Sequence, residues 1–341
     1  MRVGRLSVRH GGPRLPLTLL AVALLALAAA AVTTYVGNAD LAPGRVTAIL
    51  LGDYAGASGF EVYSVIDVRL PRALAALLAG AALGLSGALF QQLTDNPLGS
   101  PDIIGFTSGA ATGAVLVILL GVPAPGGIAG GAVLGGLVTA AAIYALAWRG
   151  GLDGLRLILV GIGVGAVLAA LRSYLISRAE LGEAQSAYRW LVGSLAGRTW
   201  DELALAGAAA VVLVPATVLV HRPLDRLAAG EELAATQGLD VGRTRLAVAL
   251  IGTAWVAVAV VLAGPVGFVA LAAPHVARML TRRPGPQLAS SALVGAALVA
   301  VADVGAMRLF APTTLPVGVV TGVLGGLYLL WLLHRRRGVD R

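Results

Sequence analysis

Apolar segments long enough to cross a lipid bilayer recur along the whole chain, and no other feature narrows its possible folds so sharply. A membrane-spanning helix needs about 20 mostly apolar residues. Ten segments meet or approach that length: 16–36, 70–93, 102–121, 126–148, 155–177, 200–220, 244–264, 267–281, 287–309 and 315–334. The eighth is short and contains Pro274, which predicts a broken or tilted span. Of the 341 residues, 58% are hydrophobic and 12% charged, about half the charge of an ordinary soluble domain. Lipid must therefore be the solvent for much of the surface. The expected fold is an all-α polytopic membrane protein of about ten transmembrane helices.

The basic residues are all arginine; the chain has no lysine and no cysteine. Disulfides, thiolate metal sites and thiol nucleophiles are thereby excluded. A phosphate-binding loop of the G-x-x-x-x-G-K-[ST] type needs its lysine, so this chain cannot hydrolyse ATP by that route. Arg2, Arg5, Arg9 and Arg14 precede the first apolar run. A cleaved signal peptide would look similar, but a run of about 21 residues exceeds the usual apolar core of about 7–15. It reads as the first membrane helix.

Arginine placement orients the bundle. With the N-terminus in the cytoplasm, seventeen of the 25 arginines fall inside. The other eight, Arg45, Arg69, Arg72, Arg172, Arg178, Arg189, Arg198 and Arg308, lie outside or near that side. Both termini are then cytoplasmic, and the net charge of +8 is a topology signal, not a nucleic-acid footprint. The expected organisation is a cytoplasmic tail at 1–15, a transmembrane domain at 16–334 and a second cytoplasmic tail at 335–341. A cytoplasmic loop at 222–243 interrupts the spans.

Glycine recurs every fourth residue at Gly105, Gly109 and Gly113, at Gly127, Gly131 and Gly135, and at Gly318, Gly322 and Gly326. That spacing lets helix backbones approach closely and reads as tight packing. Trp148, Trp190, Trp200 and Trp331 fall near span ends, as interfacial aromatics should.

The loop HRPLDRLAAGEELAATQGLDVGRTR, 221–245, is the most informative connector. Pro223 suits the first position of a helix, Gly230 an interruption, and Glu231 and Glu232 the start of a second helix. Gly238 suits a helix stop and Asp240 a cap for the next span. Two short helices outside the lipid are expected, either as a docking element or as a structured connector. Arg69 and Arg72, three residues apart at a helix start, face similarly. Asp303 and Arg172 are ionisable groups in or beside apolar runs, suited to a pathway or to structural pairing. His275 has no partners in metal-ligand spacing, and packing is its expected role.

Four groups of residues resemble the iron-siderophore/vitamin B12 (FecCD-type) ABC transporter permeases. One is Leu227, Gly230, Ala235, Gly238 and Arg245. A second is Arg69-Leu70-Pro71-Arg72, Gly80-Ala81-Ala82-Leu83, Ser86-Gly87, Gln91, Asn96-Pro97-Leu98, Pro101, Gly105 and Gly109-Ala110. A third is Trp190-Leu191 with Gly193-Ser194-Leu195. The fourth is Gly264-Pro265-Val266-Gly267-Phe268, Pro274-His275, Arg278, Gly295-Ala296, Ala302-Asp303 and Pro316-Val317-Gly318. They run in family order over about 65–333. Met307, Thr314, Leu327 and Ala270 depart from the family's usual arginine, glutamate, proline and glycine; Arg308 stands one residue beyond the arginine slot.

The resemblance implies an ABC type II importer permease-like bundle in a bacterial cell membrane. It would pair with an identical or similar permease subunit, with two cytoplasmic ATPase subunits and an extracytoplasmic substrate-binding protein. The chain itself would bind no cofactor, and ATP would be used by the partner subunits. The cargo would be a ferric siderophore or related bulky chelate, with haem and cobalamin as alternatives. Binding-protein docking is expected of Arg69, Arg72 and Arg308. ATPase coupling is expected of Leu224, Leu227, Gly230, Glu231, Ala235 and Gly238, and translocation or packing roles of Gln91, Asn96, Pro97, Pro274 and Asp303. An ion-coupled secondary transporter is the rival reading, weakened because the spans hold almost no acidic residue besides Asp303. A membrane enzyme lacks any catalytic constellation here.

Overall fold

Several spans begin where a polar side chain accepts a hydrogen bond from the first helical turn, satisfying donors that lipid could not. Asp153 accepts from the Arg156 amide at 2.9 Å and Asp240 from the Arg243 amide at 2.9 Å. Thr199 and Glu202 form a reciprocal capping box. These caps open α7 (Gly154–Arg178), α11 (Val241–Ala263) and α9 (Trp200–Leu227) in a computed structural model. It describes residues 14–37, 41–102, 105–121, 127–149, 153–283, 285–311 and 313–337. The remaining helices are α1 (Arg14–Tyr35), α2 (Pro43–Leu50), α3 (Gly59–Tyr63), α4 (Leu70–Leu93), α5 (Phe106–Leu120) and α6 (Gly127–Ala147). Then come α8 (Leu181–Leu191), α10 (Glu231–Thr236), α12 (Val269–Thr281), α13 (Leu288–Arg308) and α14 (Val317–Arg337). A π-helical segment, Ser64–Arg69, joins α3 to α4.

Each of the ten anticipated segments holds a helix. Among the described residues, seven helices are long and apolar enough to cross a bilayer. The other three are short: α5, the apolar part of α14 (Val317–Leu330), and α12 with 13 residues. At about 1.5 Å per residue, α12 covers only about 20 Å. Such a helix is tolerated at membrane depth when protein surrounds it, and Val269, Ala270, Ala273, Pro274 and Ala277 are all buried. By alternation of the spans, α10, the start of α1 and the end of α14 share one end of the bundle. The segment around Arg69 lies at the other.

α4 is the central strut, packed chiefly on α13 and α11. Small residues make this possible. A Cβ on Gly80 would collide with the Gly295 carbonyl, and one on Gly84 with the Ser291 carbonyl. Farther along, Gly87 abuts the Ala270 carbonyl. That carbonyl sits four residues before Pro274, which has no N–H to donate to it. The bare Gly87 backbone is what fits there. In the glycine stripes, Gly109 and Gly113 meet Gly131 and Gly135 across the α5–α6 contact, and Gly318 meets the Val192 carbonyl. Gly322 and Gly326, by contrast, face open space.

Two features differ from the sequence reading. Pro223 does not start a new helix: α9 runs continuously to Leu227 with Pro215 and Pro223 inside it. The buried contacts of Leu224 and Leu227 hold this last turn against the body, outweighing the backbone hydrogen bond that proline removes. In addition, α2, α3 and α8 lie outside the spans, in stretches too short or too polar to register as crossings.

Gly84→Ala is expected to destabilise the bundle by about 1–3 kcal/mol through overpacking, and Gly322→Ala to leave stability unchanged. Thermal unfolding of both variants in detergent tests this; equal melting would refute the packing assignment.

Candidate functional site

Two clusters, one at each end of the bundle, gather most of the anticipated functional residues. At the Arg69 end, Arg72 forks the Asp303 carboxylate. Its Nε donates to Oδ1 at 3.2 Å and Oδ2 at 3.0 Å, and its Nη2 donates to Oδ1 at 2.8 Å. The Thr33 hydroxyl donates to Asp303 Oδ2 at 3.4 Å. The pair ties α4, α13 and α1 together, with side-chain exposures of 14% for Arg72 and 0% for Asp303. Arg69 is 4% exposed and donates to the Tyr35 carbonyl at 3.2 Å. Both arginines line a cavity of about 350 Å³ with Tyr63, Ser64 and Thr314.

Both guanidiniums are thus engaged within the chain, while Arg72, 14% exposed, still borders the cavity. Desolvated carboxylates at this depth need a cation, and Asp303 takes Arg72 for that purpose. Arg308, by contrast, is exposed. Nearby, the Ser58 amide, more than the Arg45 guanidinium, holds the Glu61 carboxyl below its ordinary pKa. That capping box rigidifies α3 beside the cavity.

The translocation and packing candidates separate in the same way. Gln91 is buried, donates to the Leu271 carbonyl at 3.1 Å and accepts from Arg278 Nη2 at 2.6 Å. Pro274 is buried in α12. Gln91 and Asp303 thus join helices within this chain. Asn96 accepts from the Leu98 amide at 2.9 Å, shaping the turn after α4, and Pro97 is exposed on it. Arg172 donates to the Ser108 carbonyl at 2.9 Å and the Thr112 hydroxyl at 3.3 Å. His275 stacks edge-on against Tyr328.

At the opposite end, α10 forms a projecting element. Gly230 has φ +114° and Gly238 φ +78°, backbone conformations that favour glycine. Glu231 pairs with Arg245, tying α10 to α11. Leu224, Leu227 and Ala234 are buried beneath the element. Glu232, Leu233, Ala235 and Gly238 are exposed. The coupling residues thus divide into two sets: Leu224 and Leu227 are internal anchors, and Gly230, Glu231, Ala235 and Gly238 are exposed. Leu233, half exposed, went unremarked in the sequence because an isolated leucine gives no signal there.

The motifs at 190–195, 264–268 and 316–318 meet in space. The Ser194 amide donates to the Ala263 carbonyl at 2.8 Å, and the Gly318 amide to the Gly193 carbonyl at 3.2 Å. Gly193 (φ +76°) also abuts the Pro265 carbonyl.

Residues 19–335 match the profile of the FecCD transport family. Over 297 residues, the chain is 43% identical to the ferric enterobactin transport system permease protein FepG of Escherichia coli, covering 87% of this chain and 89% of FepG. It is 36% identical to the Fe(3+)-citrate import system permease protein YfmE of Bacillus subtilis, covering 94% and 95%. It is 35% identical to the vitamin B12 import system permease protein BtuC of Salmonella typhi, covering 92% and 94%. A solved metal-chelate type ABC transporter in an inward-facing conformation superposes with a TM-score of 0.81 at 28% identity, covering 94% of this chain and 99% of that one.

Removing one partner of the Arg72–Asp303 pair leaves a buried charge uncompensated. Asp303→Ala or Arg72→Ala alone should cost about 3–5 kcal/mol, and Arg72→Met with Asp303→Leu should restore most of it. Denaturation of the three variants in detergent checks this; additive losses in the double variant would remove the ion pair as a structural tie.

Proposed function

The chain belongs to the FecCD transport family, and from that membership we propose how its parts work. It is a multi-pass membrane permease subunit of an ATP-binding cassette importer, a transport component and not an enzyme. Permeases of this family work with ATPase and binding-protein partners. We place the chain in a bacterial cell membrane with both termini and α10 in the cytoplasm, supported by the arginine excess at that end.

The observation that carries the mechanism is the construction of α10. Two positive-φ glycines set its turns, Glu231–Arg245 braces it, and Leu224 and Leu227 root it in the bundle. An exposed element so firmly held suits a lever gripped by an ATPase subunit. Closure of two ATPases on ATP would move a pair of such levers and rock the permeases between outward- and inward-open states. A second permease copy, or a similar chain, would cover α14, where Gly322 and Gly326 are open and Val323, Leu327 and Leu330 are exposed. Four-residue glycine spacing favours close helix pairing there.

An extracytoplasmic binding protein would deliver cargo at the Arg69 end, with Arg69 and Arg72 at the cavity and exposed Arg308 as its contacts. The cargo is a ferric siderophore or related iron chelate, supported by the names of FepG and YfmE. Cobalamin is favoured less, because the chain is 43% identical to FepG and 35% identical to BtuC. Ion-coupled transport finds no support: Asp303, the acidic residue on which it would turn, is taken by Arg72.

Ala235→Arg on the exposed side of α10 is expected to leave folding intact and abolish iron-chelate uptake and ATPase co-purification. Because the chain has no cysteine, Gly326→Cys should give a disulfide-linked permease pair under oxidation. Full uptake by Ala235→Arg, or no cross-link at 326, would overturn the corresponding part of the proposal.

A further inference from the structure

A groove of about 300 Å³ opens between α4, α9 and α13 and runs toward the α10 end. Leu85, Val214, Val218, Leu288 and Ala292 form its walls. The polar atom on its floor is already engaged: the Thr217 hydroxyl donates to the Leu213 carbonyl at 2.7 Å and accepts from Trp255 Nε1 at 2.8 Å. Nothing along that floor asks for a polar ligand. α9 itself is only 22% buried over its most apolar stretch, so the groove lies on an outer, apolar face of the bundle.

The α10 end of the groove has the opposite character. His221 closes it, and exposed Arg222 and Arg226 follow on α9. The link from α12 to α13 passes close by: a Cβ on Gly285 would lie 3.6 Å from Asp225 Oδ1. Arg282 and Arg283 on that link are exposed. Against these four guanidiniums stands Asp225, 3.8 Å from His221 Nε2. Glu231, farther along, is occupied by Arg245.

We propose that this groove binds one anionic phospholipid, its acyl chain lying along Val214, Val218 and Ala292 and its phosphate held by the arginines around His221. The two halves of the site match the two halves of such a molecule. An apolar trough takes the chain, and the exposed arginines of that end supply cations for the phosphodiester, as basic pockets between membrane helices do. Two arginines come from α9 and two from the α12–α13 link, so the headgroup would clamp α9, the helix that carries α10, to α13.

Native mass spectrometry of the full chain, reconstituted in vesicles of equal phosphatidylglycerol and phosphatidylcholine and then extracted, tests the site. One phosphatidylglycerol should remain bound, favoured roughly tenfold or more over phosphatidylcholine. Arg282→Gln with Arg283→Gln should erase that preference while leaving the groove intact. Ala289→Trp should reduce retention of either lipid; if it fails to fold, the arginine variant still decides. Equal retention of both lipids by the native chain, or an undiminished preference after the arginine changes, would overturn the proposal. So would a photo-cross-linker at Val218→Cys that captures polypeptide and not lipid.

Discussion

In hydrocarbon, a polar group without a partner has no water to turn to, and this constraint organises the bundle. Several of its buried polar side chains join helices in pairs. Ser86 donates to the Gly252 carbonyl at 2.8 Å, joining α4 to α11. The Tyr144 and Thr253 hydroxyls meet at 2.5 Å, joining α6 to α11. Trp255 and Thr217 join α11 to α9, and Gln91 and Arg278 join α4 to α12. Arg72 and Asp303 join α4 to α13. Each link costs desolvation, so its net stabilisation is modest. Its larger effect is on register, because sliding either helix by one residue would strand a charge or donor in an apolar medium.

Those links work only because the backbones are close, and closeness is the contribution of the small residues. Side-chain packing between membrane helices gains little from water exclusion, since lipid tails are as apolar as leucine. Gly80 against Gly295, Gly84 against Ser291 and Gly87 against Ala270 bring α4 within reach of α13 and α12. Only at that separation can an arginine at one helix end fork a carboxylate on its neighbour. The glycines and the polar ties are therefore one device.

Much of this was legible in the sequence, for a physical reason: span length is set by the bilayer and read directly from apolar runs. The caps at Asp240 and Gly238 were likewise local, written in residues that act on their own backbone. What the sequence hid was pairing at long range. Arg72 and Asp303 are 231 residues apart, and no spacing rule connects them. Read alone, Asp303 suits a pathway or a structural pairing; the pairing, and Arg72 as the partner, appear only in the fold. The course of α9 was hidden for a related reason. Pro223 marks a helix start by local preference, whereas the burial of Leu224 and Leu227, which overrides it, depends on helices distant in sequence.

The continuity of α9 has mechanical weight. At its first residue, the Trp200 indole N–H donates to the Ile66 carbonyl at 3.0 Å, within the π-helical segment that leads to Arg69 and Arg72. At its last turn, Leu227 lies three residues before Gly230 and α10. A single helix thus spans the distance between the element suited to the motor and the end suited to cargo delivery, with no loop to absorb displacement. Pro215 and Pro223 each remove one backbone hydrogen bond from it, which makes those two positions the points at which it would bend. In the proposed transport cycle, a pull on α10 would reach Ile66 as a change in the angle of α9. That is the form of motion an alternating-access gate requires.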